Sequence, residues 1–183
     1  MVWNARVFEA IKDRETASWK EEIKSKPKLR TYALIKKELV LEPYLESSTN
    51  SAGRKLMAAI RTGTNPLRIE TGRHWVPKLP VESRVCWCCG VAVEDEKHFV
   101  VHCTNYTEER AQLFESIGRV TEGRIQMQML AKAQPSLTFK LLLGEGIRYK
   151  QQEVYRCVQT FLVRAMNKRR QFLQRAWGES SGV

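Results

Sequence analysis

The cysteine stretch, residues 84–103, reads RVCWCCGVAVEDEKHFVVHC and holds four of the five cysteines and two of the three histidines of this 183-residue chain. Its spacing C-x2-C-x8-H-x4-C supplies three thiolates and one imidazole, from Cys86, Cys89, His98 and Cys103. Three sulfurs and one nitrogen make a complete tetrahedral set for Zn²⁺, with no position left for water or a substrate. The cysteine stretch therefore predicts one structural zinc ion.

Two other residues of the stretch are alternative ligands. Cys88 could replace one of the two cysteines beside it, although cysteines that are adjacent or separated by one residue rarely converge on one ion. His102 lies four positions after His98 and could share a helical face with it. It abuts Cys103, however, and neighbouring residues on a helix point in different directions. The spacing therefore favours the first set, with Cys88 as a spare thiol and His102 as an exposed side chain.

Helical spacing of apolar residues dominates the rest of the chain. We expect a mainly α fold, in which a helical domain carries a small zinc-stapled knuckle (the tight turn with the first two cysteines) and ends in a long C-terminal helix. Three parts are expected: an N-terminal helical part (1–80), the CCHC motif with the helix after it (81–120), and a C-terminal helical part with a long basic helix (121–183).

Start and stop signals predict where the helices lie. Asn50 or Ser51 would cap the start of one helix and Gly63 its end, while Thr107 would cap another. Prolines and glycines indicate a loop or short extended structure over 66–80. The predicted helices cover residues 4–25, 31–41, 50–63, 107–120, 124–133 and 147–177.

Charge narrows the choice of partner. The chain has a net charge of +11, from 31 Lys and Arg residues against 20 Asp and Glu residues. This excess suits a polyanion such as nucleic acid or an anionic membrane surface, and the plain alternative is a basic soluble protein. No apolar run has the length of a signal peptide or a membrane span. We therefore expect an intracellular protein, in the nucleus or the cytoplasm, with no membrane partner.

Two groups of basic residues are candidates for contacts with phosphates. One group precedes the zinc motif, and the other lies on the last predicted helix, which also carries an apolar face. The first group comprises Arg54, Lys55, Arg61, Arg68 and Arg73, and the second comprises Arg164, Lys168, Arg170 and Arg175. Trp75 and Trp87 could stack on unpaired bases near the first group, although burial in a core is the commoner fate of tryptophan.

The sequence motifs around the cysteines resemble the zinc-binding region found downstream of the polymerase in non-LTR (LINE-type) retrotransposon reverse transcriptases. The resemblance covers roughly residues 25–115 and rests on SKPKLRTYALIKKELVLEPYL, RTGTNPLRIETGRHW, ESRVCWCCG and VEDEKHFVVHCTNY, in that order. It implies that Cys86, Cys89, His98 and Cys103 bind zinc. It also implies that this region contacts the element's RNA or its DNA target and does not carry out synthesis.

The chain departs from that family in its acidic residues. Asp13 and Asp95 are its only aspartates. The chain therefore lacks the aspartate-containing catalytic motifs of the polymerase, and it also lacks the nuclease that some relatives carry. A closed four-ligand zinc offers no water for Glu94, Asp95 or Glu96 to activate. We expect these acids to place favourable charge at a helix N-terminus and to hydrogen-bond His98. The sequence therefore predicts a protein that is not an enzyme.

Two functions remain as expectations. The first is a non-catalytic, zinc-containing protein that binds RNA or DNA mainly through phosphates, related to that reverse transcriptase region. The alternative is a zinc-stapled protein–protein interaction module that docks a partner through an apolar patch. Salt distinguishes them, because phosphate-driven binding weakens steeply between about 50 and 200 mM salt, whereas burial of apolar surface does not depend on charge.

Overall fold

The computed structural model describes residues 2–46, 50–144 and 146–178. Nine α-helices account for most of these residues, and the described residues contain no strand, only an isolated antiparallel bridge between Val85 and Val93. The predicted mainly α class is therefore confirmed. In chain order the helices are α1 (Val2–Ser25), α2 (Arg30–Ile35), α3 (Pro43–Glu46), α4 (Ser51–Thr62), α5 (Arg68–Thr71), α6 (Thr107–Val120), α7 (Met127–Ala133), α8 (Pro135–Leu143) and α9 (Gln151–Gly178).

Helix α9 lies at the centre of the packing and contacts α4, α6 and α8. One buried apolar cluster joins them, with Met57 from α4, Leu113 from α6, Leu142 from α8 and Phe161 from α9. Phe99 of the cysteine stretch belongs to the same cluster and is fully buried. Burying side chains of this size contributes about 1.5–3 kcal/mol each. The cysteine stretch is thus built on the core that also joins α4, α6, α8 and α9.

Helix α4 begins and ends at the residues that the sequence indicates. The side chain of Asn50 accepts a hydrogen bond from the N–H of Gly53 at 2.9 Å, which caps the first turn. Gly63 ends the helix in the left-handed region, with φ of +66°. A Cβ atom at Gly63 would lie 2.3 Å from the carbonyl oxygen of Lys28. Both predicted caps are confirmed, and Gly63 also lets the Lys28 segment approach closely.

Helix α2 is shorter than predicted, because it ends at Ile35 and not near residue 41. The backbone of Lys36 is extended, with φ of −92° and ψ of 122°. The Lys36 side chain is buried, and its ammonium lies 3.4 Å from a carboxylate oxygen of Glu42. Apolar periodicity carries no information about this ion pair, which accompanies the early end of the helix.

The helix predicted over 124–133 ends as expected, since α7 ends at Ala133. Helix α8 was not predicted, and Pro135 occupies its first turn, where a missing N–H costs nothing. Thr107 does not cap α6, because a 3-10 turn over Thr104–Tyr106 runs directly into that helix. The Thr107 hydroxyl instead donates to the carbonyl of Thr104 at 2.8 Å.

The segment 66–80, predicted as a loop or short extended structure, contains the single turn of α5 and a 3-10 turn over Gly72–His74. None of the described helices combines the length and the apolar character needed to cross a bilayer.

Candidate metal centre

The four favoured ligands meet at one point. One ligand atom from each of Cys86, Cys89, His98 and Cys103 lies within 4.8 Å of all the others. The sulfurs of Cys86 and Cys103 are 3.9 Å apart, and the sulfur of Cys89 is 3.2 Å from Nε2 of His98. Sulfurs bound tetrahedrally at about 2.3 Å from zinc lie about 3.8 Å from one another. The cluster could therefore hold one tetrahedral metal ion.

The knuckle that carries the first two ligands is a tight turn. The N–H of Gly90 donates to the carbonyl of Cys86 at 2.8 Å, so the chain folds back directly after Cys89. Gly90 has φ of +68°, a conformation that glycine adopts without steric cost. The bridge between Val85 and Val93 closes the base of the turn. This local geometry allows two thiols that are three positions apart to face the same point.

A single π-helical turn over His98–His102 supplies the other two ligands. Residues five positions apart on an α-helix are rotated by about 140° from one another. The wider π turn instead bonds residue i to residue i+5, and here the N–H of Cys103 donates to the carbonyl of His98 at 2.7 Å. This π turn was not expected from the sequence, although the His-x4-Cys spacing fits a π turn better than an α-helix.

Burial makes the cluster a closed site. Cys86, Cys103 and His98 are 1%, 0% and 7% exposed, and Cys89 is half-buried. His102 is exposed, as predicted. Solvent therefore reaches the cluster mainly from the side of Cys89.

Cys88 lies beside the four-ligand group and contacts Tyr106, whose hydroxyl is 3.4 Å from its sulfur. Cys88 also belongs to a second set of three close groups, with Cys86 and Glu94. Hydrogen bonds from Cys103 and Cys88 hold the pKa of the Cys86 thiol below its ordinary value. A thiolate is the form that binds metal, so this lowering favours metal binding at Cys86.

Glu94 connects the cysteine stretch to two helices. Its carboxylate accepts two hydrogen bonds from Arg169 of α9, at 2.7 and 2.8 Å, and one from the backbone N–H of Arg68 in α5, at 2.8 Å. Glu94 and Arg169 are only 1% and 5% exposed. Burial disfavours the charged guanidinium of Arg169, but its bonds to Glu94 outweigh that cost and raise its pKa. The hydrogen bond to His98 expected from these three acids does not come from Glu94, whose carboxylate is taken by the Arg169 guanidinium and the Arg68 N–H.

The two other acids have different roles. Asp95 accepts a hydrogen bond from the backbone N–H of His98 at 2.6 Å, so it caps the π turn as predicted for an acid at this position. Glu96 accepts bonds from Arg30 at 2.5 Å and from the side chain of Asn65 at 2.9 Å. Sequence analysis missed Arg30, which joins α2 to the cysteine stretch across 66 positions. No local pattern indicates a partner at that separation.

Two of the candidate phosphate-binding arginines lie in the interior. Arg61 is 1% exposed, donates to the carbonyl of Leu143 at 2.9 Å and pairs with Glu42. Arg68 is 7% exposed. The prediction that Arg61 contacts nucleic acid is wrong, because its guanidinium is used inside the fold.

The other residues of the first basic group lie nearer the surface. Lys55 is exposed and Arg54 is half-buried, with a 3.3 Å bond from its guanidinium to the carbonyl of Leu45. Arg73 is also half-buried, and its Nε lies 3.4 Å from a carboxylate oxygen of Glu70. These three side chains keep access to solvent.

The second basic group lies along α9. Arg164, Arg170 and Arg175 are exposed. Lys168 is half-buried and already paired, because its ammonium lies 3.0 Å from Glu109 of α6. Within this group, the three arginines are the side chains most accessible to a phosphate.

Comparison with protein-family models gives no match for this chain, and comparisons with curated proteins and with solved structures give no significant match. The resemblance of residues 25–115 to the retrotransposon zinc-binding region therefore stays a prediction.

Proposed function

We propose that the chain is a non-catalytic module that binds RNA or DNA through phosphates and is stabilised by one structural zinc ion. One observation carries the nucleic-acid part. The guanidinium groups of Arg164 and Arg170 bond the neutral side chains of Gln112 and Asn167. Arg175 is exposed and has no carboxylate partner among the described residues. Exposed guanidinium groups that no carboxylate neutralises form strong, charge-assisted hydrogen bonds with phosphates.

The donor set supports zinc as the metal. Thiolates and imidazole suit zinc, whereas magnesium and calcium prefer oxygen ligands. Four protein ligands at a buried site are typical of structural zinc and leave no open position for a substrate. The ion would hold the knuckle against the π turn, and through Glu94 it would fix the position of Arg169 on α9.

Charge reversal tests the nucleic-acid surface. The triple variant Arg164→Glu, Arg170→Glu, Arg175→Glu is expected to bind a labelled oligonucleotide at least tenfold more weakly at about 50 mM salt. The plot of log K against log salt should also become shallower by about one for each phosphate that the variant no longer neutralises. Fluorescence anisotropy across a salt series measures both quantities.

A matched triple variant on α1 controls for net charge. Lys12→Glu, Arg14→Glu, Lys20→Glu makes the same charge change at three exposed positions outside the proposed surface. It should keep most of the affinity. Equal losses in the two triple variants would show that only net charge matters and would remove α9 as the binding surface.

A second candidate function is protein docking, favoured by a groove of about 380 Å³ between α2 and α8. Its apolar lining includes Leu34 and Leu137, which are 45% and 39% exposed. Lys37, Lys140 and Arg148 also line it, against the one acid Glu38 in the lining. Leucines among cations complement an amphipathic segment that carries both apolar and acidic side chains. The partner that fits is a protein with such an acidic amphipathic segment.

A synthetic peptide tests this groove. A fluorescein-labelled helical peptide with leucines at positions i, i+3, i+4 and i+7 and glutamates between them should bind. The double variant Leu34→Ser, Leu137→Ser should then bind it about tenfold or more weakly, because the groove no longer offers two apolar side chains to the peptide. The control Val91→Ser, Met129→Ser replaces two exposed apolar residues elsewhere and should bind normally. Failure of the native protein to bind the peptide would eliminate this candidate.

A further inference from the structure

The loop over residues 72–79 is fixed at its base. The N–H of Leu79 donates to the carbonyl of Gly72 at 3.1 Å. The buried guanidinium of Arg84 donates to the carbonyl of Leu79 at 2.7 Å and to that of Ile69 at 2.7 Å. A Cβ atom at Gly72 would lie 2.8 Å from the Arg84 side chain, so glycine is what lets Arg84 pass beneath the loop. The loop thus has a rigid base.

This loop presents an indole to solvent. Trp75 is 50% exposed and the next residue, Val76, is 98% exposed. The guanidinium carbon of Arg68 lies over the Trp75 ring, 5.2 Å from its centre, and over the Trp87 ring at 4.1 Å. A large aromatic side chain is on average far more buried than this. Trp75 is therefore supported from one side by a cation, while half of its surface stays open.

Arg68 is held mainly by these rings. It is 7% exposed, and its Nε and Nη1 atoms are buried without a hydrogen-bond partner. A desolvated guanidinium gains most from contact with aromatic faces, which accounts for its position against both indoles. Trp87 lies in the knuckle between Cys86 and Cys88, so a metal ion that orders the knuckle also orders the support beneath Trp75.

A groove next to Trp75 in the chain carries two cations. This groove, of about 390 Å³, is lined by Lys28 and Arg73 and by His74, and Arg73 and His74 directly precede Trp75. Glu70 also lines this groove, and its carboxylate is shared between Arg30 at 2.6 Å and Arg73 at 3.4 Å. The charged residues that line the groove, Lys28 and Arg73 against Glu70, sum to +1 and leave it with a positive charge.

We infer that Trp75 stacks on one unpaired base of a single-stranded nucleic acid, while Lys28 and Arg73 contact the phosphates next to that base. The inference rests on the proposed function and adds a preference for single strands. A paired base inside a duplex is covered on both faces, whereas an unpaired base offers a face to an aromatic side chain. Stacking tolerates any base, so little sequence preference is expected.

The test compares Trp75→Ala and Trp75→Phe with the neighbouring control Val76→Ala. The ligands are a labelled single-stranded oligo-dT, the corresponding oligo-U and a duplex of the same length, at one fixed salt concentration. Trp75→Ala should lower affinity for both single strands about tenfold. It should leave the duplex affinity unchanged. Trp75→Phe should keep part of the affinity, Val76→Ala all of it, and tryptophan quenching by oligo-dT should shrink in both Trp75 variants.

Each outcome is decisive. Unchanged single-strand affinity in Trp75→Ala, with salt-dependent binding still present, would overturn the stacking role and leave the proposed function standing. An equal loss on duplex would overturn the preference for single strands. No binding of any oligonucleotide by the native protein would overturn the proposed function as well. If Trp75→Ala fails to fold, undiminished quenching in folded Trp75→Phe would overturn the inference.

Discussion

Replacing Cys103 with serine is expected to remove the bound metal ion and, with it, the cooperative unfolding of the protein. Cys103 is fully buried at the end of the π turn, so its replacement removes one of the four ligands from the interior of the site. The apparent binding free energy at structural zinc sites is about 10–16 kcal/mol, and it acts as folding free energy. That is comparable with the total stability of a domain, about 5–15 kcal/mol. Cys86→Ser and His98→Ala should have the same effect.

Native mass spectrometry of protein purified without added metal measures this directly, because it reports both the identity and the number of bound ions. One zinc ion is expected in the native protein and none in Cys103→Ser. Circular dichroism during denaturant unfolding then shows whether the cooperative transition survives. A different metal, or a native protein that binds none, would contradict the assignment of a structural zinc site.

Cys88→Ser is the matched control, since it removes a half-buried thiol from the same knuckle. Cys88 contacts Tyr106 and lies outside the four-ligand set. Its replacement should leave the metal in place and change stability by about 1 kcal/mol, the contribution of one weak hydrogen bond. Loss of the metal in Cys88→Ser, with retention in Cys103→Ser, would show that the wrong sulfur was assigned.

The features that could be predicted from sequence depend on residues close together in the chain. The caps of α4 at Asn50 and Gly63 each involve a few neighbouring positions, and so does the knuckle turn at Gly90. The same is true of the favoured ligand set, which occupies 18 consecutive positions from Cys86 to Cys103. Local spacing determines such geometry, so these elements follow from the sequence.

The π turn over His98–His102 was missed although it is local, whereas the missed side-chain contacts depend on distant partners. Glu94 and Arg169 are 75 positions apart, and Arg61 donates to the carbonyl of Leu143 across 82 positions. An arginine on a helix is ordinarily exposed, so Arg61 was expected on the surface. Only the tertiary fold brings a buried guanidinium to its acceptor. For the same reason, net charge overstates how much positive surface the protein presents.

The buried pair of Glu94 and Arg169 is expected to contribute most to stability after the metal ligands. Arg169→Met should lower the free energy of unfolding by about 3–5 kcal/mol, the usual cost of leaving one charge of a buried pair without its partner. Four ligands that include three thiolates give a zinc site a net negative charge, and Glu94 adds another. Arg169, paired with Glu94, offsets one of these two negative charges. Chelator competition should therefore also show metal affinity reduced about 10–100-fold.

A double-mutant cycle separates the ion pair from other effects of each substitution. Glu94→Gln alone leaves Arg169 buried and unpaired, and the double variant removes both charges. The double variant should be more stable than the sum of the single losses predicts, by about 0.5–3 kcal/mol. Arg175→Met, an exposed position on the same helix, should change stability by less than about 0.5 kcal/mol. Strictly additive losses would mean that the two side chains act separately. The link between α9 and the cysteine stretch would then rest on apolar packing around Phe99 and Phe161, whose ring centres are 6.4 Å apart.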